Sequence, residues 1–226
     1  MAVAFDAVTS GVPVGGTTLA FTGPSVGGSN RIVVVGVAWF SLSGVVVDTV
    51  VGSVNGSYTK VPSSAAASPD TFVHSELWYF LNPAIGAETI TITLSGSDGK
   101  TAGAISMTGV HQTTPLGTAA TNGGSSTGPT VDVIGASDDL IVDGFSVDNT
   151  TTSKTAGGGQ EKRWERGAVG LAGGAGSTEP GTASVTMSWT LGTTSQWAIS
   201  GVAIKAAAGA APAPIPASPL VSNLRW

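Results

Sequence analysis

From end to end this chain consists of short runs of alternating or wholly apolar residues, each closed off by Gly, Ser, Pro or Asn, while helical spacing is nearly absent. Punctuation of this kind marks an all-β fold. In Thr89-Ile90-Thr91-Ile92-Thr93-Leu94 the apolar residues share one face and the threonines the other, as in an antiparallel strand with one side in solvent. Ile32-Val33-Val34-Val35-Gly36-Val37-Ala38-Trp39 is apolar on both faces and reads as a central strand. An antiparallel two-sheet β-sandwich or jelly roll accommodates both kinds.

The chain also repeats itself approximately. Asn30–Val37 is similar to Asp138–Phe145, and each leads through a Gly/Ser-rich connection to a tryptophan run, Ser75–Tyr79 in one half and Glu161–Glu165 in the other. Thr89–Leu94 then matches Ser184–Trp189, and Ala104-Ile105-Ser106 matches Ala198-Ile199-Ser200. Two β-rich stretches of like composition would also look alike without a repeat. Neither half offers much apolar surface, so the expectation is one domain over residues 1–206 with two interleaved sheets.

Composition narrows the chemistry. Nine Lys and Arg against fourteen Asp and Glu, giving a net charge of −5, supply no patch for a phosphate backbone. Lys162, Arg163 and Arg166 sit among Glu161 and Glu165 and read as a solvated strand face. There is no cysteine, so disulfides and thiolate metal sites are excluded. His74 and His111 stand 37 positions apart, which is no ligand spacing. No metal and no cofactor is expected. Asp138, Asp139, Asp143, Asp148 and Asn149 could offer oxygens to Ca²⁺, yet Asp beside strands is an ordinary turn former. Met1–Asp6 lacks the basic start of a secretory signal, and Ile32–Phe40 is too short to cross a bilayer.

Catalytic patterns are present only in outline. Gly124-Ser125-Ser126-Thr127-Gly128 has the spacing of a serine-hydrolase elbow, but no histidine follows His111 and the surroundings read as a flexible loop. Gly96-Ser97-Asp98-Gly99-Lys100-Thr101 is too short between its glycines for a phosphate loop. It reads as the hairpin turn between Thr89–Leu94 and Ala102–Val110. Glu76, Glu161 and Glu165 lie beside tryptophans and are the best available carboxylates for glycoside hydrolysis, without the strand motif of the lectin-like glucanases. The six tryptophans, Trp39, Trp78, Trp164, Trp189, Trp197 and Trp226, suit core packing, or glycan stacking where exposed.

After Ala206 the composition changes. Residues 207–226 form a Pro/Ala-rich segment expected to be an extended C-terminal arm, in which Pro212, Pro214, Pro216 and Pro219 favour polyproline geometry. Fully extended it would reach about 60 Å. Pro212, Pro214, Pro216, Leu220, Leu224 and Trp226 are the residues expected to dock on a partner.

The segment from Asn30 to Gly117 resembles a β-sandwich domain, lectin-like or jelly-roll, of phage virion structural proteins and bacterial surface proteins. Asn30–Val37, Glu76-Leu77-Trp78-Tyr79, Asn82-Pro83, Thr89–Leu94 and Gly103–Gly117 carry the likeness, with His111 where such domains have Asp. The resemblance implies an appendage or coat component with no catalytic residues. The expected function is a non-enzymatic structural protein of a virus or phage particle: a capsid decoration, minor head or tail appendage component. It would be made in the host cytoplasm and would act in the virion with other subunits as a homo-oligomer. Nucleic acid and membrane insertion are not expected; the alternative is a carbohydrate-binding adhesion module for a host-surface glycan.

Overall fold

The computed structural model describes residues 1–41, 43–150 and 152–208, and every regular element among them is a strand. The first half supplies β1 (Ala4–Val14), β2 (Thr18–Thr22), β3 (Ile32–Phe40), β4 (Val47–Gly52), β5 (Gly56–Ser57), β6 (Thr59–Lys60), β7 (Ala66–Ala67), β8 (Val73–Leu81), β9 (Thr89–Leu94) and β10 (Gly99–Thr108). The second supplies β11 (Ala120–Ser126), β12 (Thr130–Val133), β13 (Leu140–Val147), β14 (Lys154–Ala156), β15 (Glu161–Gly167), β16 (Gly173–Pro180), β17 (Val185–Leu191) and β18 (Ser195–Ile204).

All pairings between these strands are antiparallel, and they form four sheets. One has the order β1-β10-β3-β8-β6, with β7 also on β8, and faces the sheet β2-β9-β4-β5. The other half repeats the plan, with β11-β18-β13-β16-β15 over β12-β17-β14. The all-β antiparallel sandwich is therefore as the sequence indicates. The halves do not interleave, however: each is a sandwich of its own, and the two large sheets pack back to back.

This layering explains the doubly apolar strand. Val33, Val35, Val37 and Trp39 of β3 enter the first half's core with Ile90, Ile92 and Leu94. Ile32 and Val34, on the opposite face, join Leu77, Ile105 and Met107 against Leu140, Val142, Trp164, Val202 and Ile204 of the other half. Each large sheet is thus buried on both sides, which neither half achieves alone. Hydroxyls between the layers bond across them: Ser75 Oγ donates to Gly144 O (2.8 Å), and Ser200 Oγ to Ser64 O (2.6 Å) and Ser75 O (3.1 Å).

Three further expectations are corrected. β3 matches β13, β9 matches β17 and β10 matches β18, but the tryptophan strands do not correspond. β8 pairs with β3, whereas β15 pairs with β16, one strand further out, and the place of β8 is taken by β16. The β10/β18 register also shifts by three, since Gly36 faces Gly103 while Gly144 faces Ser200. An odd shift turns every side chain to the other face, and Ile105 accordingly lies between the halves while Ile199 lies in its own half's core. Finally, Asp98-Gly99 is no hairpin turn, because β9 and β10 belong to different sheets and the turn carries the chain between layers. Gly99 is not in the left-handed region; a Cβ there would lie 2.9 Å from the Leu171 Cα, so its smallness is what counts.

Candidate functional site

The serine motif lies on a strand, not in a flexible loop. Gly124 stands opposite Trp197 and Ser126 opposite Ser195 in the β11–β18 pair. A Cβ at Gly124 would come within 2.5 Å of the Trp197 ring, so glycine there makes room for the indole. Trp197 Nε1–H donates to Ser126 Oγ (3.0 Å), which also accepts the Gly128 N–H (3.2 Å). Ser126 is an anchor for a tryptophan; neither His74 nor His111 bonds to it. His74 stacks on Trp39 at 4.9 Å, and the His111 Nδ1 accepts the N–H groups of Thr113 and Thr114.

The glutamates beside tryptophans are each engaged. Glu76 is buried, pairs with Lys60 and accepts Trp78 Nε1–H (3.1 Å). Glu161 pairs with Arg163 at 2.6 Å, and Glu165 pairs with Lys162 at 2.6 Å and Lys154 at 3.7 Å. Ion pairs with Lys or Arg occupy all three. Arg163 does not lie on a solvated face: its side chain is only 11 % exposed, sits 3.8 Å over the Phe5 ring and donates to Thr178 Oγ1 (2.7 Å). It thereby ties β15 to β1 across the boundary between the halves.

Asp143 is the one aspartate of its group inside a core. Its Oδ1 accepts the Ser177 N–H (2.6 Å) and Oγ–H (2.8 Å), and its Oδ2 accepts Trp189 Nε1–H (2.7 Å). Burial pushes its carboxyl up to about 7, against the lowering effect of those three donors. Asp139 accepts the N–H groups of Ala136 and Ala206, and Asp148 those of Asn149 and Gln196. No group of three or more His, Cys, Asp or Glu among the described residues is arranged to hold a metal ion.

All five described tryptophans are buried, Trp39, Trp78, Trp164, Trp189 and Trp197 alike. Trp226, with Pro212, Pro214, Pro216, Leu220 and Leu224, lies outside the described residues.

What the surface offers is a pair of shallow regions at the seam between the halves. On one side, Val8, Thr9, Ser10 and Thr22 face Arg163, Glu165 and Arg166 across a polar groove of about 610 Å³. Arg166 makes no ion pair among the described residues. On another side, the linker between the halves meets the Pro62–Ser63 turn at a groove of about 420 Å³, lined by Tyr79, Pro115 and Leu116. Residues more than a hundred positions apart meet in the first groove, and no local pattern announces either. Neither a family model, nor a curated protein, nor a solved structure matches this chain. No helix among the described residues is long and apolar enough to cross a membrane.

Proposed function

We propose that this chain is a non-enzymatic structural component of a virus or phage particle, a capsid decoration, minor head or tail appendage protein. It assembles as a homo-oligomer through its sandwich faces and through residues 207–226. The observation that carries this reading is where the reactive-looking groups sit: the five described tryptophans fill cores, the glutamates beside tryptophans pair with Lys and Arg, and the motif serine holds an indole. Chemistry-bearing residue types are used to make a rigid block of four stacked sheets. Such a block suits a part whose task is to keep its shape and bind through its surface.

Light scattering on the full chain tests it, beside a full-length variant with Leu220, Leu224 and Trp226 changed to Ala. A defined oligomer that the variant loses supports assembly through the arm. Monomers in both cases count against it.

A second reading draws on the polar groove. Ser10 and Thr22 lining the groove with an uncommitted Arg166 suit a glycan held by hydrogen bonds, without tryptophan stacking. Glycan-array binding that Arg166→Ala abolishes would favour this adhesion reading; an array without hits would end it.

A further inference from the structure

The described chain ends beside a groove whose chemistry suits the residues that follow. The linker from His111 to Ala119 lies along the end of β18: the Lys205 N–H donates to Pro115 O (2.7 Å), the Gly117 N–H to Ala203 O (2.8 Å), and Leu116 bridges Ile204. The groove of about 420 Å³ opens between this linker and the Pro62–Ser63 turn. A second hollow of about 280 Å³ shares Gly117 and Thr118 with it and adds Ile134, which is 66 % exposed.

Three features define its occupant. Tyr79 and Leu116 pack partly into the core between the halves, so the rings and aliphatic groups of the lining, set among Ser63, Thr114 and Thr118, are held in place. The Tyr79 hydroxyl makes no hydrogen bond among the described residues and is a spare donor. Ser63 has φ 60°, a left-handed conformation that a non-glycine residue keeps only where its surroundings impose it. Its neighbour Ser64 supplies that constraint: its hydroxyl donates to Leu77 O (3.1 Å) and accepts the Leu77 N–H (3.2 Å), and its carbonyl accepts Ser200 Oγ–H. A preformed groove of proline, leucine and tyrosine with a free phenol matches polyproline recognition, in which rings fill apolar slots and a donor meets an exposed carbonyl.

This chain carries such a ligand in Pro212-Ala213-Pro214-Ile215-Pro216-Ala217-Ser218-Pro219, where Pro216 and Pro219 share a face at three residues per turn. Beyond Ile204 the backbone passes the linker, and the Ala207 N–H donates to Gly109 O (2.8 Å), so the chain departs away from Leu116–Ala119. An extended segment continuing that way leaves its own groove behind. The eighteen residues 209–226 (226 − 208) would span about 55 Å at polyproline rise, enough to reach a neighbour. We propose that the groove between Pro62, Tyr79 and Leu116 takes residues 212–219 of a second copy of this chain. The proposal rests on the assembly reading above and names its docking site.

Two full-length variants test it by complementation. Thr118→Arg places a long side chain on the exposed wall shared by both hollows, outside the cores. Replacing Pro212, Pro214, Pro216 and Pro219 by Gly removes the ligand and leaves the groove. By light scattering the wild type is an oligomer and each variant alone a monomer, while an equal mixture forms one-to-one pairs through the intact arm of one and the intact groove of the other. Circular dichroism checks that both variants are folded. Tyr79→Phe, which keeps the ring and removes the donor, weakens association about three- to tenfold. A monomeric wild type overturns this proposal and the assembly reading together. An oligomer unchanged by both Thr118→Arg and Tyr79→Phe overturns the docking site alone, as does a mixture of the two monomeric variants that fails to pair.

Discussion

Gly36 and Gly144 face each other across the boundary between the two sandwiches, and a Cβ on Gly144 would lie only 3.4 Å from the Gly36 Cα. They hold the same position in the repeat, the seventh residue of Asn30–Val37 and of Asp138–Phe145, so each half offers its barest backbone to the other at the same point. Neither glycine has a positive φ, which leaves close approach as the reason for both.

Alanine at Gly36 would meet the Trp164 ring at 3.3 Å, and alanine at Gly144 would meet Leu77 at 3.0 Å, an end that can swing aside. Either should cost about 1 kcal/mol, whereas Val at either position should cost about 3 kcal/mol by prising the sheets apart. Urea unfolding checks the order. A Val variant as stable as the Ala variant would show that the halves are looser than this contact implies.

Trp164 makes a sharper case. The place that Leu77 occupies in the first half belongs to Gly176 in the second, and the indole from the next strand fills the space. A Cβ on Gly176 would lie 2.3 Å from Nε1, and one on Gly103 2.2 Å from the ring. Gly103→Ala should destabilise by about 2–3 kcal/mol, because the indole must leave its slot. Trp164→Ala should cost about 3–5 kcal/mol through the cavity it leaves. In the double variant the alanine methyl no longer meets a ring, so the two losses should fall short of additivity by at least ~1 kcal/mol. Strict additivity would mean that the two residues do not meet.

These glycines mark where the sequence stops being readable. Alternation in Thr89–Leu94 and the doubly apolar Ile32–Trp39 disclosed the strands and their burial, since the hydrophobic pattern is set by which faces leave water. β11 and β16, with Ala120-Thr121-Asn122-Gly123-Gly124-Ser125-Ser126 and Gly173-Gly174-Ala175-Gly176-Ser177-Thr178-Glu179-Pro180, carry little such pattern. Their glycines are there for what lies on top of them, Trp197 on Gly124, Trp164 on Gly176 and Ala38 on Gly174. That reason is tertiary, and propensity reads the same residues as loop. Pairing Trp78 with Trp164 failed for a related cause: the indoles look alike in sequence, yet Trp78 enters its own half's core and Trp164 the seam. The grooves were illegible because Tyr79, Leu116 and Pro62, like Val8 and Arg166, meet only after both halves have stacked.

Ser126→Ala separates anchor from nucleophile. Losing the acceptor of Trp197 Nε1–H should lower stability by about 1 kcal/mol, with Trp197 fluorescence shifting as its indole loses a partner. The wild type should take up no fluorophosphonate label at Ser126. Labelling there, by mass spectrometry, would reopen the hydrolase reading.

Asp143 should give the protein an inverted acid response. Its carboxyl titrates near 7 in the folded chain because burial opposes its charge, against an ordinary value of 3.8. The folded state therefore binds more protons than the unfolded one between about pH 4 and 7, and this group's contribution to stability falls as pH rises through that window, then levels off. The matching residue of the first half is Val35, so the slope belongs to one half only. Asp143→Asn removes the titration and leaves one acceptor oxygen where the carboxyl has two; its amide nitrogen only donates, so either Ser177 or Trp189 loses its acceptor at a cost of about 1–3 kcal/mol. Denaturant melts at pH 5 and 8 should show the variant well below wild type at pH 5, with a smaller gap at pH 8. A gap equal at pH 5 and pH 8 would mean that Asp143 stays ionised throughout, its three donors outweighing its burial.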